Sequence, residues 1–179
     1  MEAHEIPGTR EQVRILEGTQ PGAGLTVYLV DAPHFFDRPG NPYLAPDGFT
    51  WPDNAYRFGL FCRAVVEVAM DRCGLGWKPD LVHNNDWQTG LVAPLLHNQN
   101  GRPATVFTIH NLAYQGIFGH RVLEIAGIDE WGFVYHPEMA DLNEVVDLMG
   151  RGIYWADLIS TVSNTYAQEI LTPEYGERL

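Results

Sequence analysis

Residues 79–111 read PDLVHNNDWQTGLVAPLLHNQNGRPATVFTIHN, and this stretch decides the fold. It contains two short apolar runs, Pro79-Asp-Leu-Val-His83 and Thr105-Val-Phe-Thr-Ile109, each the length of a buried strand. Between them, residues 87–97 carry Leu91, Val92, Leu95 and Leu96 at helical spacing, with Pro94 expected to kink the helix. Strand, helix, strand is the unit of a parallel sheet. The same alternation extends on both sides. Upstream, residues 54–73 place Phe58, Phe61, Cys62, Val65, Ala69 and Cys73 on one helical stripe, with Asp53 as N-cap and Gly74 as stop. Downstream, a helix over 142–156 leads to a strand at 158–162, and Ser163 caps a last helix over 165–171. Helix and strand alternate throughout, which predicts a doubly wound parallel α/β sheet.

Two features precede that sheet. Residues 11–17 and 25–30 alternate polar and apolar around the turn-rich Gly18-Thr-Gln-Pro-Gly-Ala-Gly24, so an antiparallel hairpin is expected. Residues 32–53 show no period, and their aromatics Phe35, Phe36, Tyr43, Phe49 and Trp51 predict a long ordered loop.

Composition narrows the function classes. A chain of 179 residues with 45% hydrophobic and 19% charged residues is globular material, one domain or a large part of one. Eleven Lys+Arg against 23 Asp+Glu give a net charge of −12, the wrong sign for a nucleic-acid partner and compatible with a neutral, hydroxyl-rich one. Lys78 is the only lysine, so a mechanism needing lysine on a phosphate must use it or one outside this chain. No apolar run approaches the roughly 18 residues of a membrane span, and the N-terminus lacks the regions of a signal peptide. The expectation is a soluble, cytoplasmic protein with no membrane partner. Cys62 and Cys73, about 16 Å apart if on one helix, are expected as buried thiols that do not bridge.

In parallel sheets ligands bind beyond the carboxyl ends of the strands. Two polar clusters fall there: His83-Asn-Asn-Asp-Trp87 and His110-Asn-Leu-Ala-Tyr-Gln-Gly116. A carboxylate and an imidazole at neighbouring strand ends can act as acid, base or orienting pair. Asp86 serves equally as a helix N-cap, and His110 as a core histidine. His83, Asp86 and His110 are also acceptable metal ligands, although no metal-binding spacing accompanies them. No G-x-S-x-G elbow and no phosphate-binding glycine fingerprint is present.

These clusters carry a resemblance. His110-Asn-Leu-Ala-Tyr-Gln-Gly116 resembles the H-N-L-A-Y-Q-G motif of bacterial glycogen synthases and plant starch synthases that use ADP-glucose. The stretch from Asp31 to Tyr43 resembles the family's D-x-P-x-x-[FY]-x-R-x-G-x-[PI]-Y, Asn85-Asp-Trp87 its [HN]-D-W, and Thr161-Val-Ser163 with Tyr166-Ala167 its T-V-S-x-x-Y-A. The blocks run in order from about Val13 to Leu179. The resemblance implies a GT-B glycosyltransferase, with two Rossmann-like domains across a cleft. The implied reaction moves glucose from ADP-glucose to the 4-hydroxyl of an α-1,4-glucan such as glycogen, with retention and without a metal or other cofactor. It implies catalytic roles for His110, at the donor sugar, and Asp86, on sugar hydroxyls or the acceptor. Asn111, Tyr43, Asn85, Gln115 and Gly116 are implied as substrate-binding, Tyr43 on the acceptor side.

The departures from the pattern are informative. Gln88 stands where many members have histidine, and Gly150 where the family has lysine. The family's first strand with its K-x-G-G-L loop, and its second domain with the cations that grip the diphosphate, have no counterpart here. Residues 1–179 are therefore expected to be a partial N-terminal domain, a truncated product or one piece of a split enzyme, and inactive alone. Two alternatives stay open: a non-catalytic α-glucan-binding or regulatory module, and a metal-dependent hydrolase using His83, Asp86 and His110.

Overall fold

The computed structural model describes residues 3–5, 12–119, 145–177 and 179. The expected hairpin is there. β2 (Gln12–Thr19) pairs antiparallel with β3 (Thr26–Asp31), in register from Arg14↔Asp31 to Thr19↔Thr26, and a short β1 (Ala3–Glu5) adds to β2. Alternation sends Val13 and Ile15 into the core while Arg14 reaches across to an ion pair with Asp31.

Two arginines order the long loop that follows. After a single helical turn, α1 (Pro33–Phe36), Arg38 stacks 5.0 Å over the Trp51 ring and meets both carboxylate oxygens of Asp53, at 3.0 and 2.7 Å. That pairing occupies the group expected to cap the next helix, and Asp53 makes no capping hydrogen bond. Arg57 is 3% exposed and donates to the carbonyls of Phe35 and Pro42 and to Asn54 Oδ1. A buried guanidinium is tolerated because Nε and Nη1 carry three hydrogen bonds between them.

The next helix, α2 (Asn54–Ala69), stops short of residue 73. Asp71 adopts a left-handed φ of +53° and its carboxylate accepts from Gly76 N at 3.0 Å, which turns the chain away. Cys73 consequently lies outside the helix, and both cysteines are free and buried. Of the predicted stripe, Phe58, Cys62 and Ala69 are buried in α2, while Phe61 and Val65 are half-buried. Phe58, Cys62, Val66 and Ala69 pack with the parallel sheet, while Leu60 and Ala64 pack with Val13, Ile15 and Phe35 in a second cluster. Clamped from both sides, α2 joins hairpin to sheet, each fully buried large side chain contributing about 1.5–3 kcal/mol.

The parallel sheet has the order β4-β5-β8: β4 (Leu81–Asn85), β5 (Ala104–Ile109) and β8 (Leu158–Thr161). Asn85 is level with Thr108, and Ile109 with Thr161, so the three carboxyl ends lie side by side. After β4 comes a 3₁₀ turn (Trp87–Thr89), then α3 (Val92–His97). Pro94 does not kink a long helix as expected: it is the third residue of α3, where an N–H has no intrahelical partner to lose. The break falls at Gly90, where a Cβ would sit 2.0 Å from the Leu148 carbonyl oxygen.

The expected helix over 142–156 is shorter. Residues 142–144 lie outside the described residues, and β7 (Val145–Asp147) pairs antiparallel with β6 (Ile117–Gly119) before α4 (Leu148–Trp155) begins. Gly152 lets α4 lie directly on β5, since a Cβ there would be 2.2 Å from the Phe107 ring. Ser163 caps α5 (Asn164–Glu169) as predicted, its Oγ accepting from Tyr166 N at 3.1 Å. No helix among the described residues is long and apolar enough to cross a membrane.

Candidate functional site

The site forms where β4 and β5 end. Asp86 follows β4 directly, and His110 follows β5 directly. The two residues meet through both oxygens of one carboxylate. Asp86 Oδ1 accepts the His110 backbone N–H at 2.8 Å, and Oδ2 lies 3.0 Å from His110 Nδ1. Asp86 stands at the N-cap position of the helical turn that follows it, but its side chain makes no capping bond. Its backbone is strained, with φ +55° and ψ −177°, a combination that belongs to glycine. Local bonds hold it there: its N–H donates to the Thr108 carbonyl at 3.1 Å, and its carbonyl accepts from Thr89 N at 3.1 Å. His110 is not a core histidine either, its side chain being 47% exposed.

The loop from His110 to Gly116 is held along its whole length. Asn111 Oδ1 accepts from Ala113 N at 3.1 Å, and the Asn111 carbonyl from Tyr114 N at 3.3 Å. The Leu112 N–H donates to Tyr166 Oη at 2.8 Å, so the hydroxyl of a residue 54 positions away fixes the loop. Gln115 and Gly116 tie the loop to α4 and to the C-terminal segment. Their carbonyls accept from Met149 N and Leu148 N at the start of α4, at 2.9 and 3.2 Å, and Gln115 Nε2 donates to the Glu177 carbonyl at 2.8 Å. Gly116 has φ +66°, and a Cβ on it would fall 2.4 Å from Trp87 Cε3.

Trp87 gathers the motifs. Its ring meets Phe58 of α2 at 4.8 Å, Phe118 of β6 at 5.6 Å and Tyr43 of the long loop at 6.5 Å. Tyr43, 46% exposed, thus stands beside the strand-end site, anchored by its N–H to Asn41 Oδ1. Asn85 and Asn111 are exposed at the two strand ends. At the start of α4, burial pushes the Asp147 carboxyl above its ordinary range despite its bond from Gly150 N.

His83 does not join this group. Its ring Nε2 pairs with Thr108 Oγ1, which continues to Ser160 Oγ at 2.6 Å, and it borders an apolar cavity of about 290 Å³ between hairpin, α2 and β4. Among the described residues no three of His, Cys, Asp and Glu come together to hold a metal, so the hydrolase alternative has no ligand set among them. The sequence reading assigned no part to Tyr166, Thr89 or Asp147. Tyr166 had a signal, as the aromatic of the T-V-S-x-x-Y-A block, but its partner lies too far along the chain to be read.

The family model described as "Starch synthase catalytic domain" matches residues 1–179. The chain belongs to this family. Among curated relatives of this starch synthase domain, glycogen synthase 1 of Methylococcus capsulatus is 48% identical over 165 residues, covering 92% of the chain and 33% of the relative. Glycogen synthase of Thioalkalivibrio sulfidiphilus is 47% identical over 173 residues, covering 96% and 35%. In structure, the chain resembles the catalytic domain of starch synthase IV from Arabidopsis thaliana bound to ADP and acarbose. The TM-score is 0.74 at 30% identity, covering 93% of this chain and 33% of that one. The chain spans about a third of the length of the curated relatives it matches.

Proposed function

We propose that this chain carries the sugar-facing wall of a retaining glucosyltransferase that moves glucose from ADP-glucose to the 4-hydroxyl of an α-1,4-glucan, in the cytoplasm. The observation that carries the reading is the His110 loop, held at the end of β5 with its imidazole gripped by Asp86. The glycogen synthase names of the relatives and the ADP and acarbose in the solved one support the same substrates.

In this reading the bond between the glucose anomeric carbon and the diphosphate breaks as positive charge gathers on the sugar. The His110 ring hydrogen-bonds a sugar hydroxyl and its carbonyl faces the developing charge, so preorganised dipoles stabilise the transition state. Asn111 and Asn85 extend the polar wall, and Tyr43 borders the acceptor side. The diphosphate is gripped elsewhere. The N–H groups of His110, Leu112, Ala113 and Tyr114 are spent on partners within the chain, and its single lysine is not in the site. Residues 1–179 thus act as part of the first of two Rossmann-like domains, completed by a K-x-G-G-L strand and a second domain from further polypeptide.

Labelled ADP-glucose and glycogen test this on the purified chain. The expected result is retention on glycogen or a shift of His110 signals with ADP-glucose, without incorporation. Incorporation by the chain alone contradicts the placement of the diphosphate grip, and a His110 signal that ignores saturating ADP-glucose contradicts the sugar-facing role.

A further inference from the structure

We infer that Asp86 is a positioning residue that acts on the substrate through His110, holding the imidazole with its proton on Nδ1 and a bare lone pair on Nε2. The sugar-facing role of His110 is taken from the proposed function, but the tautomer stands on geometry alone. Both oxygens of the Asp86 carboxylate are engaged by one residue, Oδ1 by the His110 N–H at 2.8 Å and Oδ2 by Nδ1 at 3.0 Å. A carboxylate only accepts, so Nδ1 supplies the proton and the neutral ring keeps its acceptor at Nε2, on the far edge. That edge takes a hydroxyl as donor, which is what a sugar ring offers. Each Asp86 oxygen spends an acceptor site on His110, so the carboxylate fixes backbone and ring of one residue together.

The backbone supplies a second, independent sign. Asp86 sits at φ +55° and ψ −177°, which glycine adopts freely and other residues only under strain. The strain persists because Thr108 and Thr89 over-determine the turn: Thr89 Oγ1 donates within 3.1 Å to the carbonyls of Asn85 and Asp86 and accepts from Asn85 N at 2.8 Å. A side chain in a glycine conformation, with no helix-capping bond of its own, is there for what its carboxylate does to His110.

Histidine-labelled chain at pH 8, observed by long-range proton–nitrogen correlation, reads the tautomer directly. The expected His110 pattern has a protonated Nδ1 and an unprotonated Nε2. Asp86→Asn keeps the shape and tolerates the backbone. Its Oδ1 retains the His110 N–H, but its amide now donates toward Nδ1, so the tautomer inverts to Nε2–H. Asp86→Gly relieves the backbone, so its melting temperature is expected to hold or rise while the ring reverts to the two-tautomer mixture of a free imidazole. Unchanged signals from His83 and His97 verify the fold in each variant. A parent ring protonated on Nε2, or a Nδ1–H ring that survives both substitutions, overturns the inference. So does an Asp86→Gly chain that melts lower with its tautomer intact, since the carboxylate would then be structural. Adding ADP-glucose separates the two claims: if Nε2 does not respond while the tautomer is as expected, the sugar-facing reading fails and the positioning role stands.

Discussion

Replacing Gly116 with alanine probes the joint between the His110 loop and the Trp87 hub. The new methyl carbon would lie 2.4, 2.6 and 2.9 Å from Trp87 Cε3, Cδ2 and Cγ, well inside contact distance, and the residue would keep a φ of +66°. The left-handed backbone costs a non-glycine residue about 1–2 kcal/mol, and forcing a methyl into a packed aromatic costs about 1–3 kcal/mol more. The expected destabilisation is about 2–5 kcal/mol. Trp87 is 9% exposed and wedged between Phe58 and Phe118, so it cannot swing away without opening the core. Gly101→Ala is the control, because Gly101 has φ +70° but open space around it, and should lose only the backbone share. Urea unfolding followed by far-ultraviolet circular dichroism measures both. A double-mutant cycle with Trp87→Ala should return the cost of Gly116→Ala to the control value. If Gly116→Ala and Gly101→Ala differ by less than about 0.5 kcal/mol, the Trp87 ring does not press on the loop and the hub argument fails.

Other consequences are as direct. Tyr166→Phe removes the acceptor of the Leu112 N–H; a cost of about 1–3 kcal/mol and faster hydrogen exchange at Leu112 are expected, and unchanged exchange would refute the clamp. The Asp157 carboxyl is held far below its usual range, first by hydrogen bonds from the Arg102 guanidinium and then by Thr105. A carboxyl more acidic folded than unfolded adds stability above about pH 4 and loses it as pH falls further. Asp157→Asn should therefore flatten the stability–pH curve below about pH 4 and leave its shape near neutrality unchanged. Burial pushes the Cys62 thiol up to about 12 and raises Cys73 as well; at pH 8 a thiol reagent should label both only after unfolding, and rapid labelling of the native chain would contradict the packing.

The elements that were legible in the sequence are those specified by local pattern. The apolar runs of β4, β5 and β8 and the turn chemistry of the hairpin need no knowledge of distant residues, and Ser163 finds its capping partner three positions away. What was misread depends on a choice between near and far partners. Asp53 is chemically able to cap α2, but Arg38 offers two charged bonds instead of one neutral one, and the ion pair wins. β7 shows no period of its own because a three-residue strand is too short, and its pairing with β6 comes from elsewhere in the chain. The second buried face of α2, Leu60 and Ala64, becomes meaningful only once the hairpin is known to lie over it. The candidate site was legible as residue types at strand ends. Asp86 and His110 could be named, but not that they hold each other, nor that Gln115 reaches the Glu177 carbonyl, since those bonds span 24 and 62 positions.

The proposed sugar-facing role of His110 is open to a direct test in a complete cleft. Exchanging this chain for the matching third of the Thioalkalivibrio sulfidiphilus glycogen synthase, 47% identical to it, supplies the rest of the cleft. Steady-state incorporation of glucose from ADP-glucose into glycogen by that folded chimera is the deciding measurement. Turnover is expected to fall by about 100-fold or more with His110→Ala and to persist with His83→Ala. A folded chimera that binds glycogen without turnover, or one whose turnover is indifferent to His110→Ala, would contradict it.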